Sequence, residues 1–409
     1  MSTASAWIDA AAAAGRLKVS RATLYAYVSR GLIRSQPLPG STRAHGYARE
    51  DVERLRRRSD ARRDPSLAAA HALEWGIPVL ESAITFIDGR ALYYRGHDAV
   101  VLARTRTVEE IASLIWTGDF GRRFPRPAVS RAPVATPSGA SFITRAQTLL
   151  AAAAAHDDAA ADLRPARVAD AGWGMLSVLT DAATGSTGAP EAAIEVRLAR
   201  AWRAGPHGAD VIRAILILLA DHELNVSSFT ARCVASAGST PYAVVIAGLS
   251  ALEGFRHGGA GARVEAMLTE LRADAGTPGR LDRARLRRAL AARLRRGDSV
   301  GGFGHPLYPA GDPRGIALLE LLREGPADAG ELAYVEAFAH AAGTLMDEAP
   351  NIDFMLAAAA RVLRLPTGAP LMLFAIGRTI GWIGQAIEQY ATGHLIRPRA
   401  RYVGVTPPA

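Results

Sequence analysis

Apolar positions in this chain recur mostly at helical spacing, and the exceptions mark its organisation. Over residues 6–58 the pattern predicts a compact unit of three short helices. An Ala-rich helix covers about 8–15, and a turn runs from Gly15 to Val19. Ser20 then caps a second helix through Val28, with a hydroxyl suited to an N-cap, and Gly31 stops it. Ile33 to Tyr47, with Pro37, Pro39 and Gly40, reads as a loop or wing. Glu50 to Arg58 reads as a closing amphipathic helix that ends in Arg56, Arg57 and Arg58.

Ser59 to Leu67 is polar, contains Pro65 and reads as a linker. Ile84-Thr85-Phe86-Ile87, then Asp88-Gly89, then Leu92-Tyr93-Tyr94 predicts two short strands around an Asp-Gly turn. Beyond this hairpin the pattern is helical, broken by Gly and Pro. The tract 121–140 is expected to be a surface loop and the Ala run 151–155 to be helix.

Composition strengthens the helical picture. The 409 residues exceed one ordinary core and are 49% apolar, dominated by Ala and Leu with few β-branched runs, so the expected class is all-α with two or three domains. A single cysteine, Cys233, excludes an internal disulfide framework and a multi-cysteine zinc site; it fits a reducing cytosol and reads as packing. The first residues lack a basic start, and Asp9 interrupts their apolar stretch. No apolar run spans a bilayer, so a soluble, cytoplasmic protein that does not associate with membranes is expected. Charge is uneven: residues 1–64 hold 13 Lys/Arg against 6 Asp/Glu, which places +7 of the chain's net +9 there. Nearly all these cations are arginine, which suits bidentate contacts to phosphate or carboxylate.

Four stretches put Gly, His, Asp and Arg where a core helix would have aliphatics. They are Asp221-His222-Glu223-Leu224-Asn225 leading into Ser227, Ser228 and Thr230; Gly254-Phe255-Arg256-His257-Gly258-Gly259; Gly301-Gly302-Phe303-Gly304-His305-Pro306 followed by Asp312-Pro313-Arg314; and Pro350-Asn351-Ile352-Asp353, trailed by Arg378 and Arg397. Each has a plain structural reading. Asp312 and Pro313 make a good helix start, Asn351 or Asp353 caps a helix from Phe354 to Leu363, and surface arginines are ordinarily solvated. Gly377, Gly381 and Gly384 bare one side of the helix that carries Arg378, which allows close packing and a buried arginine.

In their order these stretches resemble the citrate synthase family, over about Ile77 to Gly404. The likeness is carried by ITFIDGRALYYRGHD, TVEEIASLIWTG, DHELNVSSFTAR, the HGG at 257, GFGH followed by DPR, PNIDF, and GRTIGW through RPRARYVG. The resemblance implies a two-domain helical fold, with a large domain of residues 71–225 and 335–409, a small domain of residues 226–334, and a linker of residues 59–70 before them. It implies condensation of acetyl-CoA, or another acyl-CoA such as propionyl-CoA, with oxaloacetate, followed by thioester hydrolysis, in a homodimer with no permanently bound cofactor and no metal.

By the same resemblance Asp353 is the base for the acyl-CoA methyl group, and His257 donates a hydrogen bond to the thioester oxygen as it becomes an enol or enolate. His305 polarises the ketone of oxaloacetate and His222 contacts that substrate. Arg314, Arg378 and Arg397 are its carboxylate clamps, the last reaching across the dimer. Gly301, Gly302, Phe303 and Gly304 are the CoA-binding candidates. Phe255 and Arg256 stand where the family often has Pro-Leu, Gly261 replaces a frequent asparagine, Pro306 follows His305 where a basic residue is usual, and Gln385 replaces a histidine. These departures bear on CoA affinity, acyl-chain choice and rate.

VSRATLYAYVSRGLI, followed by an arginine-bearing wing, resembles the winged helix-turn-helix of the MerR type over residues 1–58. That resemblance implies DNA binding, with Arg21, Thr23 and Tyr25 facing the major groove and Arg30, Arg43 and Tyr47 approaching phosphates. Leu24 and Val28 read as core. A domain kept for dimer stability or protein contacts is the alternative. For the whole chain, a transcription regulator whose synthase-like part senses CoA esters or oxo acids is the rival to an active synthase. The three groups Asp353, His257 and His305 favour the enzyme, because a sensor does not need the base.

Overall fold

The structure, a computed structural model, describes residues 7–37, 45–53, 55, 80–125, 139–186, 192–276, 281–325, 328–400 and 402–405. The chain divides into two compact units, Met1–Glu81 with Pro398–Ala409, and Ser82–Arg397.

In the first unit, Asp9 caps the Ala10–Leu17 helix by accepting from the Ala12 N–H at 2.7 Å. Lys18 turns the chain with φ 53°, and Ser20 caps the Arg21–Ser29 helix by accepting from the Thr23 N–H at 3.2 Å. Strands Ser35–Pro37 and Trp7–Ile8 flank His45–Ala48 on either side, both antiparallel to it. Residues 33–47, read as loop or wing, thus contain a strand pair; residues 38–44 between them, including Arg43, lie outside the described residues, as do Arg56, Arg57 and Arg58. Residues 49–53 are helical. Ile8, Ala13, Leu17, Leu24, Ile33 and Val52 form a small core, with Tyr27 and Val28 packed against it. Tyr47, expected at phosphates, is instead buried in this core at 4% exposure, in the middle strand, which has a partner on each side and is buried at Gly46, Tyr47 and Ala48.

The second unit opens with the hairpin. Thr85–Ile87 pairs with Leu92–Tyr94, the Asp88 carboxylate accepts from the N–H groups of Arg90 and Ala91 at 2.8 Å each, and Gly89 supplies the φ of 89° that the turn needs. A third strand, His97–Asp98, pairs with Tyr93 and Tyr94 and was not anticipated, because two residues carry no periodicity. Helices follow: Ala99–Thr105, Val108–Thr117, Phe142–Ala155, Pro165–Thr184, Ile194–Trp202, Gly208–Leu218, Val226–Ser236, Pro241–Leu252, Gly259–Arg272, Arg283–Arg295, Pro313–Glu324, Ala329–Met346, Ile352–Val362 and Ala369–Thr392. Residues 126–138 of the expected surface loop lie outside the described residues, and the Ala run ends the Phe142–Ala155 helix as expected. No helix among the described residues is long and apolar enough to cross a membrane.

The Ala369–Thr392 helix is buried through most of its length and packs against the helices that begin at Val108, Pro165, Gly208, Val226, Pro241, Gly259 and Ile352. Its three glycines make the close approaches. A Cβ at Gly377 would lie 2.8 Å from the Leu216 carbonyl oxygen, one at Gly381 would lie 2.3 Å from the Ala220 carbonyl oxygen, and one at Gly384 would meet the Ile115 side chain at 2.6 Å.

Gly381→Ala tests this packing, since the colliding atom is backbone and has no rotamer to escape into. The substitution should cost about 1–3 kcal/mol, read as a lower unfolding midpoint in urea; an unchanged midpoint would show that the interface has slack.

Candidate active site

Two helix starts and one glycine-rich loop are tied together around the sequence-predicted residues. Asp312 caps the Pro313–Glu324 helix and Asn351 caps the Ile352–Val362 helix. Asp312 also accepts from the Ile352 N–H at 3.0 Å, which joins the two helix N-termini. The loop 301–305 is strapped to the second cap: the Asn351 N–H donates to the Gly302 carbonyl at 2.9 Å, the Asn351 side-chain amide to the Gly304 carbonyl at 2.9 Å, and the Gly304 N–H to the Ala349 carbonyl at 2.8 Å. Gly302 has φ 87°, and a Cβ there would lie 3.1 Å from the Phe354 backbone nitrogen. The plain reading of Asn351 and Asp312 as caps is therefore correct, and both caps also position their neighbours.

Asp312 grips Arg314 through two bonds, Nε to Oδ1 at 2.9 Å and Nη2 to Oδ2 at 2.8 Å, with both residues buried. The Arg314 guanidinium lies 5.5 Å from the Tyr308 ring centroid. The Tyr308 hydroxyl is 2.9 Å from His222 Nε2, and the His222 and His305 rings meet edge to face at 5.2 Å. His305 Nδ1 accepts from the Leu307 N–H at 3.1 Å, so the proton of the neutral ring sits on Nε2. Burial, then the charge of Arg314, pulls His305 down to about 4 and His222 well below the usual imidazole range. Both rings are neutral at physiological pH.

Arg378 is 1% exposed. Its Nε donates to the Leu219 carbonyl at 2.8 Å and its guanidinium lies 4.9 Å from the Phe374 centroid, but no carboxylate among the described residues forms an ion pair with it. Burial lowers its pKa to about 10, opposed by Asp221, so the group stays charged. Asp221 is fully buried and accepts from the Thr85 hydroxyl at 2.6 Å.

His257 packs edge-on against Phe374 at 5.6 Å and its Nε2 lies 2.8 Å from the Ser227 hydroxyl. That hydroxyl donates to Asn225 Oδ1, the cap of the Val226–Ser236 helix, at 2.8 Å. In this arrangement His257 Nε2 donates to the Ser227 oxygen and carries the ring proton; turning the Ser227 hydroxyl to Nε2 leaves the His257 proton on Nδ1. Burial, then Arg378, holds His257 down to about 4. Asp353 sits in the first turn of its helix, and its carboxyl oxygens accept no hydrogen bond among the described residues. Although part of the residue's surface remains accessible, burial of the carboxyl raises its pKa to about 6, against the pull of Arg314.

The structure thus gathers His222, His305 and Arg314 around Tyr308. The charge of Arg378 reaches His222, His257 and Asp353 alike. Gly301 to Gly304 lead into His305, beside a cavity of about 850 Å³ that Phe303 and Gly304 help to line. Arg397 is not gathered: it is exposed at the end of the second unit. Tyr308 and Ser227 were missed as site residues; Tyr308 lies three positions after His305 and Ser227 follows the Asn225 cap, but neither spacing alone reveals the contact. A dry, neutral donor pair, two buried guanidinium groups and a carboxylate of raised pKa suit the removal of a proton from a carbon acid beside a carboxylate-bearing ligand.

Comparison with known proteins shows the family. A family model described as "Citrate synthase, C-terminal domain" matches residues 72–399. The citrate synthase of Haloferax volcanii is 30% identical over 370 residues, which span 80% of this chain and 94% of that protein. A 2-methylcitrate synthase of Shewanella oneidensis is 32% identical over 200 residues, 48% of this chain and 51% of its own length. A solved citrate synthase from Thermotoga maritima is similar with a TM-score of 0.67 at 25% identity, covering 82% of this chain and 96% of that one.

An unpartnered carboxyl with a raised pKa burdens the fold when ionised. The folded value of about 6 lies above that of an exposed aspartate, roughly 3.9, so stability is lost as pH rises between these values and stays lost above them. Asp353→Asn should raise the melting temperature at pH 8, by at most about 3 kcal/mol of stability, and change it little at pH 4. Equal effects at both pH values would show that this carboxyl is not the titrating group.

Proposed function

Because the chain belongs to the citrate synthase family, and is an enzyme of the citrate synthase type, we propose that it condenses acetyl-CoA with oxaloacetate and hydrolyses the product to citrate and CoA. The observation that carries this reading is the carboxyl of Asp353, with no hydrogen-bond donor among the described residues, standing in the field of Arg314 and Arg378, the same buried arginines that act on the neutral imidazoles of His305 and His257. Asp353 takes the proton from the acyl methyl group. His257 donates from Nδ1 to the thioester oxygen once the Ser227 hydroxyl turns its proton from Asn225 Oδ1 to Nε2. His305 donates from Nε2 to the ketone of oxaloacetate, drawing charge away from the carbon under attack.

Arg314, Arg378 and His222 hold the dianion, and Arg397 completes the clamp in the partner copy of a homodimer. Asp312 already neutralises Arg314, whereas Arg378 has a full charge to offer. Gly301, Gly302, Phe303 and Gly304 face the acyl-CoA with backbone. The likeness to a 2-methylcitrate synthase makes propionyl-CoA the second acyl donor to test. The chain works in the cytoplasm on this reading.

A second activity is proposed for the N-terminal unit, as a winged helix-turn-helix that binds DNA. What supports it is the Ser20-capped helix following a tight turn, with Arg21, Tyr25 and Arg30 exposed and Thr23 half-buried, in a segment that holds most of the net charge.

Thiol release from acetyl-CoA and propionyl-CoA with oxaloacetate tests the first reading. Asp353→Ala should lower kcat by roughly 10²–10⁴-fold, and wild-type kcat/KM should fall about tenfold per pH unit below about 6. Turnover in Asp353→Ala equal to wild type would remove the assignment. Ser227→Ala should lower kcat by roughly tenfold, with KM for oxaloacetate kept. For the N-terminal unit, retention of DNA fragments should weaken steeply with salt and be lost in Arg21→Ala; no retention at low salt would end that reading.

A further inference from the structure

The loop that delivers His257 carries an arrangement that the proposed chemistry leaves unused. Phe255 is 65% exposed, and two guanidinium groups are seated on its ring, Arg256 at 5.5 Å and Arg263 at 5.9 Å from the centroid. Both arginines are exposed. Neither has a hydrogen bond or a carboxylate partner among the described residues, whereas many other arginines of this unit, such as Arg104, Arg272, Arg293 and Arg361, are held by Glu. Stacking on a ring fixes a guanidinium without neutralising it. Two like charges held on one ring repel each other, and an anion placed between them relieves that repulsion.

The patch is anchored next to the reacting groups. Phe255 and Arg256 immediately precede His257, and Arg263 lies in the second turn of the helix that begins at Gly259. Gly258 packs closely on Leu252: a Cβ there would lie 2.6 Å from its carbonyl oxygen. The charge of Arg263 is felt by Asp353. The cavity beside Gly304 and His305 is lined by Asp312, Asp347 and Glu348 and by no lysine or arginine among the described residues. A polyphosphate lying there would meet carboxylates.

We infer that Arg256 and Arg263, held on Phe255, form the subsite for the phosphate groups of the acyl donor, so that the nucleotide end of acyl-CoA leaves along the start of the Gly259–Arg272 helix and not past Asp347 and Glu348. This rests on the acyl-CoA reading of the site. Diphosphate and phosphomonoester groups suit paired guanidinium forks, and the exposed position lets a charged, hydrated end stay in water while the thioester is enclosed.

The test compares wild type with Arg256→Ala, Arg263→Ala and the double variant, all at exposed positions, with circular dichroism to confirm folding. Two readouts are taken: binding of CoA by calorimetry at two salt concentrations, and turnover of acetyl-CoA against acetyl-pantetheine, which lacks the phosphates. Each single variant should weaken CoA binding and raise KM for acetyl-CoA by roughly tenfold, keep kcat within about twofold, and leave kcat/KM for acetyl-pantetheine unchanged; the double variant should also lose most of the salt dependence. Unchanged CoA binding in the double variant overturns the inference and leaves the synthase reading intact. An equal loss with acetyl-pantetheine also overturns it, since the patch would then act on the reacting end or the loop. If wild type binds CoA, loses it in these variants, and turns over neither donor with oxaloacetate, the subsite stands and the synthase reading falls.

Discussion

A buried guanidinium with no carboxylate paired to it among the described residues is the feature on which the rest of the second unit turns. Removing an isolated charge from water costs several kcal/mol even after the surroundings relax, and Arg378 recovers part of this from the Leu219 carbonyl and the Phe374 ring. It is held there because its helix cannot move away: Gly377 and Gly381 let the backbone touch the end of the Gly208–Leu218 helix and the turn after it, and Gly384 settles against Ile115. Asp221 lies close enough to stabilise the charge; its Oδ2 accepts from Thr85 and, weakly, from Gln385 at 3.5 Å, and its Oδ1 has no hydrogen-bond partner among the described residues. No ion pair among the described residues closes on Arg378, so part of its field is open to a ligand. It also bears on His222, His257 and Asp353 at once, where burial and, at His222 and Asp353, Arg314 act more strongly.

Much of this was legible in the chain because the same residues serve local structure. Ser20, Asp312 and Asn351 are good caps by side-chain chemistry, and they do cap. The Asp88-Gly89 turn and the i, i+4, i+7 glycines are likewise local patterns with one geometric outcome. Contacts between distant segments were not legible. The Tyr308 hydroxyl on His222 joins residues 86 positions apart, and Ser227 on His257 joins residues 30 apart; nothing in either neighbourhood names the other. Tyr47 was misread because its environment depends on which face of a four-residue strand meets the core, and four residues give too little alternation to tell. Arg397 was identified by resemblance, and a single copy of the chain leaves it exposed.

Four helices begin among these residues, and that fact sharpens the electrostatic argument. The Pro313–Glu324 and Ile352–Val362 helices are joined at their starts by Asp312, and those of Val226–Ser236 and Gly259–Arg272 by the Ser227 and His257 pair just inside and just before them. Each start carries roughly half a positive charge. Four of them, with Arg314 and Arg378, favour a dianion and any oxygen on which negative charge develops. By the same token they should favour ionised Asp353, which occupies the first turn of one of these helices. Its pKa is nevertheless raised to about 6. A helix start contributes about 0.3–1 kcal/mol to a nearby anion, whereas a shift of two pKa units corresponds to nearly 3 kcal/mol, so desolvation outweighs the dipole. The cluster can attract an anionic ligand and still keep a carboxylate basic because burial desolvates the Asp353 carboxyl, whose oxygens accept no hydrogen bond among the described residues. A donor to that carboxyl would favour its ionised form and lower its pKa, weakening the base while leaving the binding field unchanged.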